Sequence, residues 1–230
     1  MHDENPGTKP HQSTTHGEII TFGTYPQTAD GNDSTPIQWR VLRKSGEELF
    51  ILSEYILDCK RYHNENMNIS WRDCDLRQWL NDEFYTAAFD DAEKEFVKTT
   101  LCTDHGEGSP DTEDKVFLLN VAEVNSLTDT HGKDILRARG TEFAKKKKSD
   151  GCQLYVMDKN VDEDYIHEDG EKYGCSWWWL RNQGKLKDEG TDPSRAVFIG
   201  TRASIRHYAR VNLDSYGVRP ALKLEVFSKP

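Results

Sequence analysis

Few residues of this chain are of types and spacings that could do chemistry. Cys175 and His207 could form a thiol–imidazole nucleophilic pair, but nothing in the sequence favours that over a structural cysteine and a surface histidine. Asn160, Asp162 and Asp164 alternate like the first ligands of an EF-hand calcium loop, yet Tyr165 stands where the loop's sharp turn needs glycine. Asp73, Asp75, Asp90 and Asp91 fall near expected helix termini. There a carboxylate stabilises unsatisfied N–H groups by ~0.3–1 kcal/mol without any catalytic task. The five cysteines (Cys59, Cys74, Cys102, Cys152, Cys175) are odd in number and lack C-x-x-C spacing, so they read as reduced thiols, with neither a disulfide framework nor a zinc site. There is no G-x-S-x-G, phosphate loop, dinucleotide fingerprint or H-E-x-x-H, and Gly106-Glu-Gly108 is too short and acidic to cradle phosphate. The expectation is no catalytic residue, no metal and no cofactor.

Recognition chemistry is better represented. Trp177-Trp-Trp-Leu-Arg181 and Gly217-Val-Arg-Pro-Ala-Leu222 bracket a mixed stretch from Arg202 to Tyr216. In a strand, neighbours alternate faces, so Trp178 should oppose Trp177 and Trp179. One face is core, and Trp177 is a candidate for lining a surface on which an aromatic platform would suit sugars or peptides. Residues 195–230 hold seven Lys/Arg against Asp214 and Glu225, in a chain whose net charge is −10. The overall charge argues against nucleic acid, while the basic tail could favour an acidic partner.

These residues need elements to hold them. The chain has 230 residues, 35% hydrophobic and 30% charged, an ordinary soluble composition without a run long enough to span a membrane or a visible signal peptide. Residues 1–17 are expected to be a disordered leader and 18–230 a single domain. Ile19 to Gly23 reads as a strand, and Ile37–Leu42 with Glu48–Ser53 as a hairpin about Ser-Gly. Trp71, Leu76, Trp79, Leu80, Phe84 and Phe89 recur at helical spacing, with Ser70 or Asp73 as N-cap and Arg77 and Gln78 facing out. Further helices are expected over Asp91–Thr99, Val121–Leu127 and within Asp134–Lys148, with a buried strand at Val116–Leu119. The charge runs at Lys145–Lys148 and Asp158–Glu171 read as solvated loops. Strands at Ala196–Ile199, Ala203–Ile205, Tyr208–Val211 and Val218–Val226 close an α+β domain.

Six ordered motifs carry a resemblance over about Glu18 to Val226. They are Phe22-Gly-Thr-Tyr25-Pro-Gln27, Pro36-Ile-Gln-Trp39-Arg-Val-Leu42, Trp71-Arg-Asp-Cys74-Asp-Leu-Arg77-Gln-Trp79-Leu-Asn81, Asp114-Lys-Val-Phe-Leu-Leu-Asn120, Trp178-Trp-Leu-Arg181-Asn-Gln-Gly184 and Gly217-Val-Arg-Pro-Ala-Leu222. The chain resembles an uncharacterised bacterial domain family of unknown function. It departs from that pattern at Cys74, at Asn120 and at Asn182-Gln183. That family is similar to C-type-lectin-fold domains, in the branch that includes formylglycine-generating enzymes and the variable proteins of diversity-generating retroelements. The resemblance implies a C-type-lectin-like fold of mostly antiparallel strands with two main helices. It also implies a non-enzymatic binding protein with a replaceable C-terminal face, taking an unknown protein or glycan ligand. On this reading Ile199, Ile205, Val211 and Val218 are scaffold. Trp177, Asn182, Gln183, Arg202, Ser204, Arg206, His207, Tyr208, Arg210, Asn212, Asp214 and Ser215 form the ligand-binding face, whose residue types suit adaptable contact. Two alternatives stand beside it: an enzyme of the formylglycine-generating group using Cys175 or a carboxylate, and a fixed carbohydrate- or peptide-binding module built on Trp177 and Tyr208. The enzymes use a closely spaced C-terminal cysteine pair that Cys175 lacks, and neither E-P-N nor Q-P-D, the calcium-lectin signatures, occurs.

Overall fold

The computed structural model describes residues 17–158, 174–186 and 190–226. Residues 1–16 of the expected leader, the Asn160–Asp164 segment and nearly all of the acidic run lie outside them, while Gly17 is already bonded to Val41 O at 2.8 Å. The chain opens with strands β1 (Ile19–Tyr25), β2 (Thr35–Ser45), β3 (Glu48–Ser53) and β4 (Asp58–Cys59). In β2 the alternation works as expected: Ile37, Trp39 and Val41 are buried and Gln38 exposed. A bulge between Val41 and Arg43 then shifts the register against β3. The hairpin turns through Gly46 at φ 58°, a conformation that favours glycine. Leu49 to Ser53 are all buried, as suits a strand covered on both faces.

Helix α1 (Asp75–Trp79) runs through one π turn (Leu80–Phe84) into α2 (Tyr85–Ala88). Leu76, Leu80, Phe84 and Ala88 fall four apart and are all buried. The N-cap is Cys74, whose sulfur accepts from Arg77 N–H at 3.4 Å. Ser70 and Asp73, the expected caps, bond each other one turn earlier. Arg77 does not face out either. Its Nε sits 2.6 Å from the fully buried carboxylate of Asp114, which also accepts from Trp71 Nε1 at 2.9 Å.

The expected helix from Asp91 is α3 (Asp91–Lys94) alone, capped by a reciprocal Asp90–Glu93 box. It stops because β5 (Val97–Lys98) is drawn into the first sheet beside the last strand of the chain. β6 (Thr100–Cys102) and β7 (Thr112–Asp114) form a small ribbon that the sequence reading missed. Val116 to Leu119 are buried as expected, but they form no strand: Phe117 bridges Ala221, and Leu119 O accepts from Arg181 N–H of the last sheet strands at 3.0 Å. Helix α4 (Val121–His131) outruns its expected end by a turn and closes at Gly132. A 3-10 turn (Lys133–Leu136) and α5 (Glu142–Lys145) are all the helix formed in residues 134–148. Lys148 is not in a solvated loop: its ammonium lies 3.0 Å from Asp58 and 3.2 Å from the Phe143 ring centre.

The chain ends in β8 (Trp178–Lys185), β9 (Thr191–Ile199), β10 (Ile205–Arg210), β11 (Gly217–Val218) and β12 (Ala221–Glu225). One sheet runs β1-β2-β3-β12-β5 and a second runs β10-β9-β8-β11-β4. Pairings in both are antiparallel, apart from β11 beside β8. The architecture is α+β and mostly antiparallel, with two substantial helical stretches, residues 75–88 and α4.

The expected single strand Val218–Val226 is broken into β11 and β12, which lie in different sheets: Gly217 to Leu222 carries the chain from the second sheet to the first, and its composition explains how. A Cβ at Gly217 would come within 2.4 Å of Ile56, so only glycine permits that approach. Arg219 is buried beneath the crossing, donating to the Ser53 and Ile135 carbonyls at 2.9 Å, with its guanidinium 5.1 Å from the Trp178 ring centre. Burial lowers Arg219 to about 10, which leaves it charged at neutral pH. One continuous apolar cluster joins both sheets and the residue 75–88 helix.

Candidate functional site

β8, β9 and β10 place the candidate face. Trp178 and Trp179 are fully buried on opposite sides of β8. Trp178 donates its indole N–H to Leu136 O, and Trp179 donates to Lys60 O, each at 2.9 Å. Trp177, half-buried, lies on the Trp179 side, and both indoles contact Tyr216. The expected alternation of the three tryptophans is therefore the observed one.

Around Trp177 five aromatic rings interlock. Tyr155 stacks on Trp177 at 3.9 Å and 15°, and Tyr216 tilts against it at 5.3 Å. Phe198 meets Tyr216 edge-on at 4.9 Å and Tyr208 edge-on at 5.5 Å. These rings floor an open cleft of about 370 Å³, rimmed by Arg202, Ser204 and Arg206. Arg206 Nε donates to Ser204 Oγ at 3.1 Å. Tyr208 is 53% exposed, a large ring with one edge anchored and the rest open to solvent.

The rim is held by the β9–β10 turn. Gly200 N–H donates to Ser204 O at 2.8 Å, and Ala203 N–H to Gly200 O at 3.0 Å. Ala203 adopts φ 59°, in the left-handed region, where a non-glycine residue costs on the order of 1–3 kcal/mol unless its surroundings impose it. Here its side chain is buried, and the turn fixes where Arg202 and Ser204 emerge.

The proposed face residues divide into groups. Trp177, Arg202, Ser204, Arg206 and Tyr208 meet at the cleft. Arg210 continues the exposed row of β10 beyond it, and Asn212 is half-buried in the following turn. His207 is half-buried between exposed neighbours. Burial and the nearby Lys185 lower its pKa, and its carbonyl packs against Gly184, where a Cβ would approach within 2.1 Å. Asp214 and Ser215 belong to the loop behind Tyr155. Ser215 O accepts from Tyr155 N–H at 2.9 Å, and Asp214 Oδ2 is 3.6 Å from Arg61. Arg61 lines a separate polar hollow of about 340 Å³ with Lys60, Asp75, Trp79, Asp82 and Asp150.

Asn182 and Gln183 are not brought to the cleft. Asn182 Oδ1 accepts from Val121 N–H at 2.7 Å and its amide donates to Asp104 O at 2.8 Å, tying the start of α4 to the preceding loop. Gln183 N–H donates to His105 O at 2.7 Å, and its side chain packs where a Cβ on Gly106 would sit. Conversely, Tyr155, Phe198 and Tyr216 line the cleft without having been expected there. Phe198 and Tyr216 showed only as a strand residue and as the end of the mixed stretch, and Tyr155 carried no local signal.

The groups weighed for enzymatic chemistry lie in different surroundings. Cys175 is buried near Arg139, Arg137 and Arg219, and burial pushes its thiol up. The charged neighbour acting on His207 is Lys185. Among the described residues no three His, Cys, Asp or Glu side chains converge as a metal site would require. No helix of the described residues is long and apolar enough to cross a membrane.

A family model described as a domain of unknown function (DUF6273) matches residues 46–226, and the chain belongs to that family. The match begins at the β2–β3 turn and takes in the helices, both halves of the cleft and the crossover at Arg219. No curated protein and no solved structure matches the chain.

Proposed function

We propose that this DUF6273-family domain is a non-enzymatic recognition protein whose ligand seats on the cleft between Trp177 and Tyr208. The carrying observation is the union of an interlocked aromatic floor with a guanidinium rim at Arg202 and Arg206. Aromatic faces bind sugar rings or apolar side chains with little entropy loss, while arginines add bidentate contacts to carboxylate, sulfate or phosphate groups. An acidic glycan or an acidic, aromatic-containing protein segment is the class of ligand this combination suits. The fold is read as C-type-lectin-like, in the formylglycine-generating-enzyme-like branch, and the face as the diversified one of a retroelement variable protein. Supporting that reading, Arg202, Arg206, Tyr208 and Arg210 are exposed on a turn and strand whose intervening Ala203 and Ala209 are buried. Side chains at the exposed positions can be exchanged with little cost to the fold.

Arrays of acidic glycans and acidic peptides, probed with the wild-type chain and an Arg206→Ala/Tyr208→Ala double variant, test the binding. An identical profile for the two proteins would sink this site. The nucleotide sequence tests diversification: a nearby template copy of the gene's 3′ end should differ mainly at adenines in the codons for residues 202–215. Its absence, along with that of a reverse transcriptase gene, removes diversification and leaves binding.

A second reading has support of its own. Trp177 and Tyr208 share the cleft, as a fixed carbohydrate- or peptide-binding module would require. Invariance of residues 202–215 across related genes, with retained binding, would favour it.

A further inference from the structure

All five cysteines are free and buried, but two of them meet. Cys59 in β4 and Cys152 in the loop after α5 flank one carbonyl, Asp214 O, which Cys59 Sγ and the N–H of Gln153, the residue after Cys152, both reach, and each thiol perturbs the other. Arg61 Nη1 donates to Cys152 Sγ at 3.4 Å, and Cys152 N–H donates to Asp150 Oδ1 at 2.9 Å. Asp58, next to Cys59, accepts from Tyr25 Oη at 2.8 Å and pairs with Lys148. On its other side Cys59 Sγ donates to Asp214 O at 3.3 Å, a carbonyl that also accepts from Gln153 N–H at 2.9 Å. The pair therefore lies directly beneath residues 214–216, the loop that delivers Tyr216 to the aromatic floor.

We propose that Cys59 and Cys152 form a peroxide-sensitive dithiol whose disulfide resets the loop at residues 214–216. Cys152 is the reacting sulfur. As Cys152 ionises, the single Cys59 S–H turns from Asp214 O towards its sulfur, and with the Arg61 guanidinium draws it below the ordinary thiol value, against burial and Asp150. The neighbouring Cys152, then burial, hold Cys59 far above that value. Arg61 and Asp150 also line the 340 Å³ hollow, to which neither cysteine is open, so peroxide entering it reaches Cys152 only past these two side chains.

In the first step the Cys152 thiolate attacks one peroxide oxygen. The S–O bond forms and the O–O bond breaks, and the departing hydroxide takes the proton Cys152 released, leaving as water. In the second, Cys59 sulfur attacks the sulfenic sulfur, the S–S bond forms, the S–O bond breaks, and a second water leaves with the Cys59 proton. Two thiols are oxidised and one peroxide becomes two waters. The disulfide has no S–H, so the Asp214 carbonyl loses its Cys59 donor. The thiol chemistry is independent of ligand binding; only its consequence for the cleft rests on the proposed function.

The native protein is titrated with hydrogen peroxide, alkylated, and mapped by non-reducing peptide mass spectrometry. The expected result is a Cys59–Cys152 cross-linked peptide, reversible by dithiothreitol, at doses that leave Cys74, Cys102 and Cys175 as thiols. Sulfinic acid at Cys152 with Cys59 still alkylated, or oxidation of all five only on unfolding, overturns the proposal. In Cys59→Ser, dimedone should trap sulfenic acid at Cys152; a folded variant giving no adduct overturns the assignment of Cys152. Amide exchange at residues 214–217 should differ between reduced and oxidised wild-type protein by at least severalfold, and identical exchange removes the coupling to the loop. None of these readouts uses a ligand, so a failure of the binding reading stays distinguishable.

Discussion

The phenol ring of Tyr216 lies against the indole of Trp179, centroids 4.1 Å apart and planes 20° from parallel. Trp179 is fixed from behind by its bond to Lys60 O, and the same Tyr216 ring touches Trp177 and Phe198. The floor of the open cleft is thus continuous with the core of the second sheet. Rings at the cleft divide by depth: Tyr216 carries structure, and Tyr208 carries exposed surface.

That division makes opposite expectations for two tyrosines. Tyr216→Ala removes a buried ring from between Trp177, Trp179 and Phe198 and should cost about 3–5 kcal/mol, read as a lower denaturation midpoint. Tyr208→Ala, half out in solvent, should change stability by less than about 1 kcal/mol while abolishing array binding. Equal destabilisation by the two would contradict the assignment.

The buried ion pair of Arg181 sets a second test. Arg181 Nη1 lies 2.6 Å from both Leu118 O and Glu123 Oε2, and Glu123 also closes the capping box at Asn120. Arg181→Ala leaves the Leu118 carbonyl without its donor and Glu123 with only the Asn120 N–H and solvent, and should cost about 1–3 kcal/mol. Urea denaturation measures it; a loss under about 1 kcal/mol would show that water or a neighbouring cation replaces Arg181.

Gly217→Ala should be costly for a different reason. Its Cβ would press on Ile56 at 2.4 Å in the packed crossing between sheets. Overpacking of this kind costs about 1–3 kcal/mol. Ile56→Ala, which removes the Cγ2 methyl in the way, should cost less in the Gly217→Ala background than in the wild type, and equal costs in the two would count against the steric cause.

Stability should also fall on mild acidification. His105 is buried, and burial followed by the Arg181 charge lowers its pKa below the ordinary 6.5. A depressed histidine is neutral in the fold and binds a proton more readily when unfolded. Its contribution is therefore complete above 6.5 and is lost as pH falls through that value towards the folded pKa. Denaturation midpoints should decline from about pH 6.5 downward, and His105→Gln should flatten that decline. An unchanged slope would assign it to other groups.

Periodicity made much of the fold readable in advance. The β2–β3 hairpin, the four-apart burial of Leu76, Leu80, Phe84 and Ala88, and the opposed faces of Trp178 and Trp179 follow from local spacing, because strands and helices impose fixed repeats. The missed features depended on distant partners. Arg77 looked solvent-facing on its own helix until Asp114, from another element, supplied a buried charge. Residues 116–119 were apolar enough for a strand but pair with Ala221 at Phe117 and with Arg181 at Leu119 in place of a ladder. Asn182 and Gln183 looked like face residues, but the Asn182 amide is consumed by Val121 and Asp104, and Gln183 gives its side-chain amide to Ile69 O and its backbone N–H to His105 O.

The sequence alone determined the α+β class, the opposed faces of Trp178 and Trp179 and the exposed row through Arg206, Tyr208 and Arg210, since each follows from the local repeat of a strand or helix. Tertiary structure alone decided that Tyr155 stacks on Trp177, that the cleft excludes Asn182, and that Cys59 meets Cys152 beneath Asp214. Those juxtapositions join segments far apart in the chain, and no local pattern encodes which distant surfaces will be pressed together when both sheets close on one core.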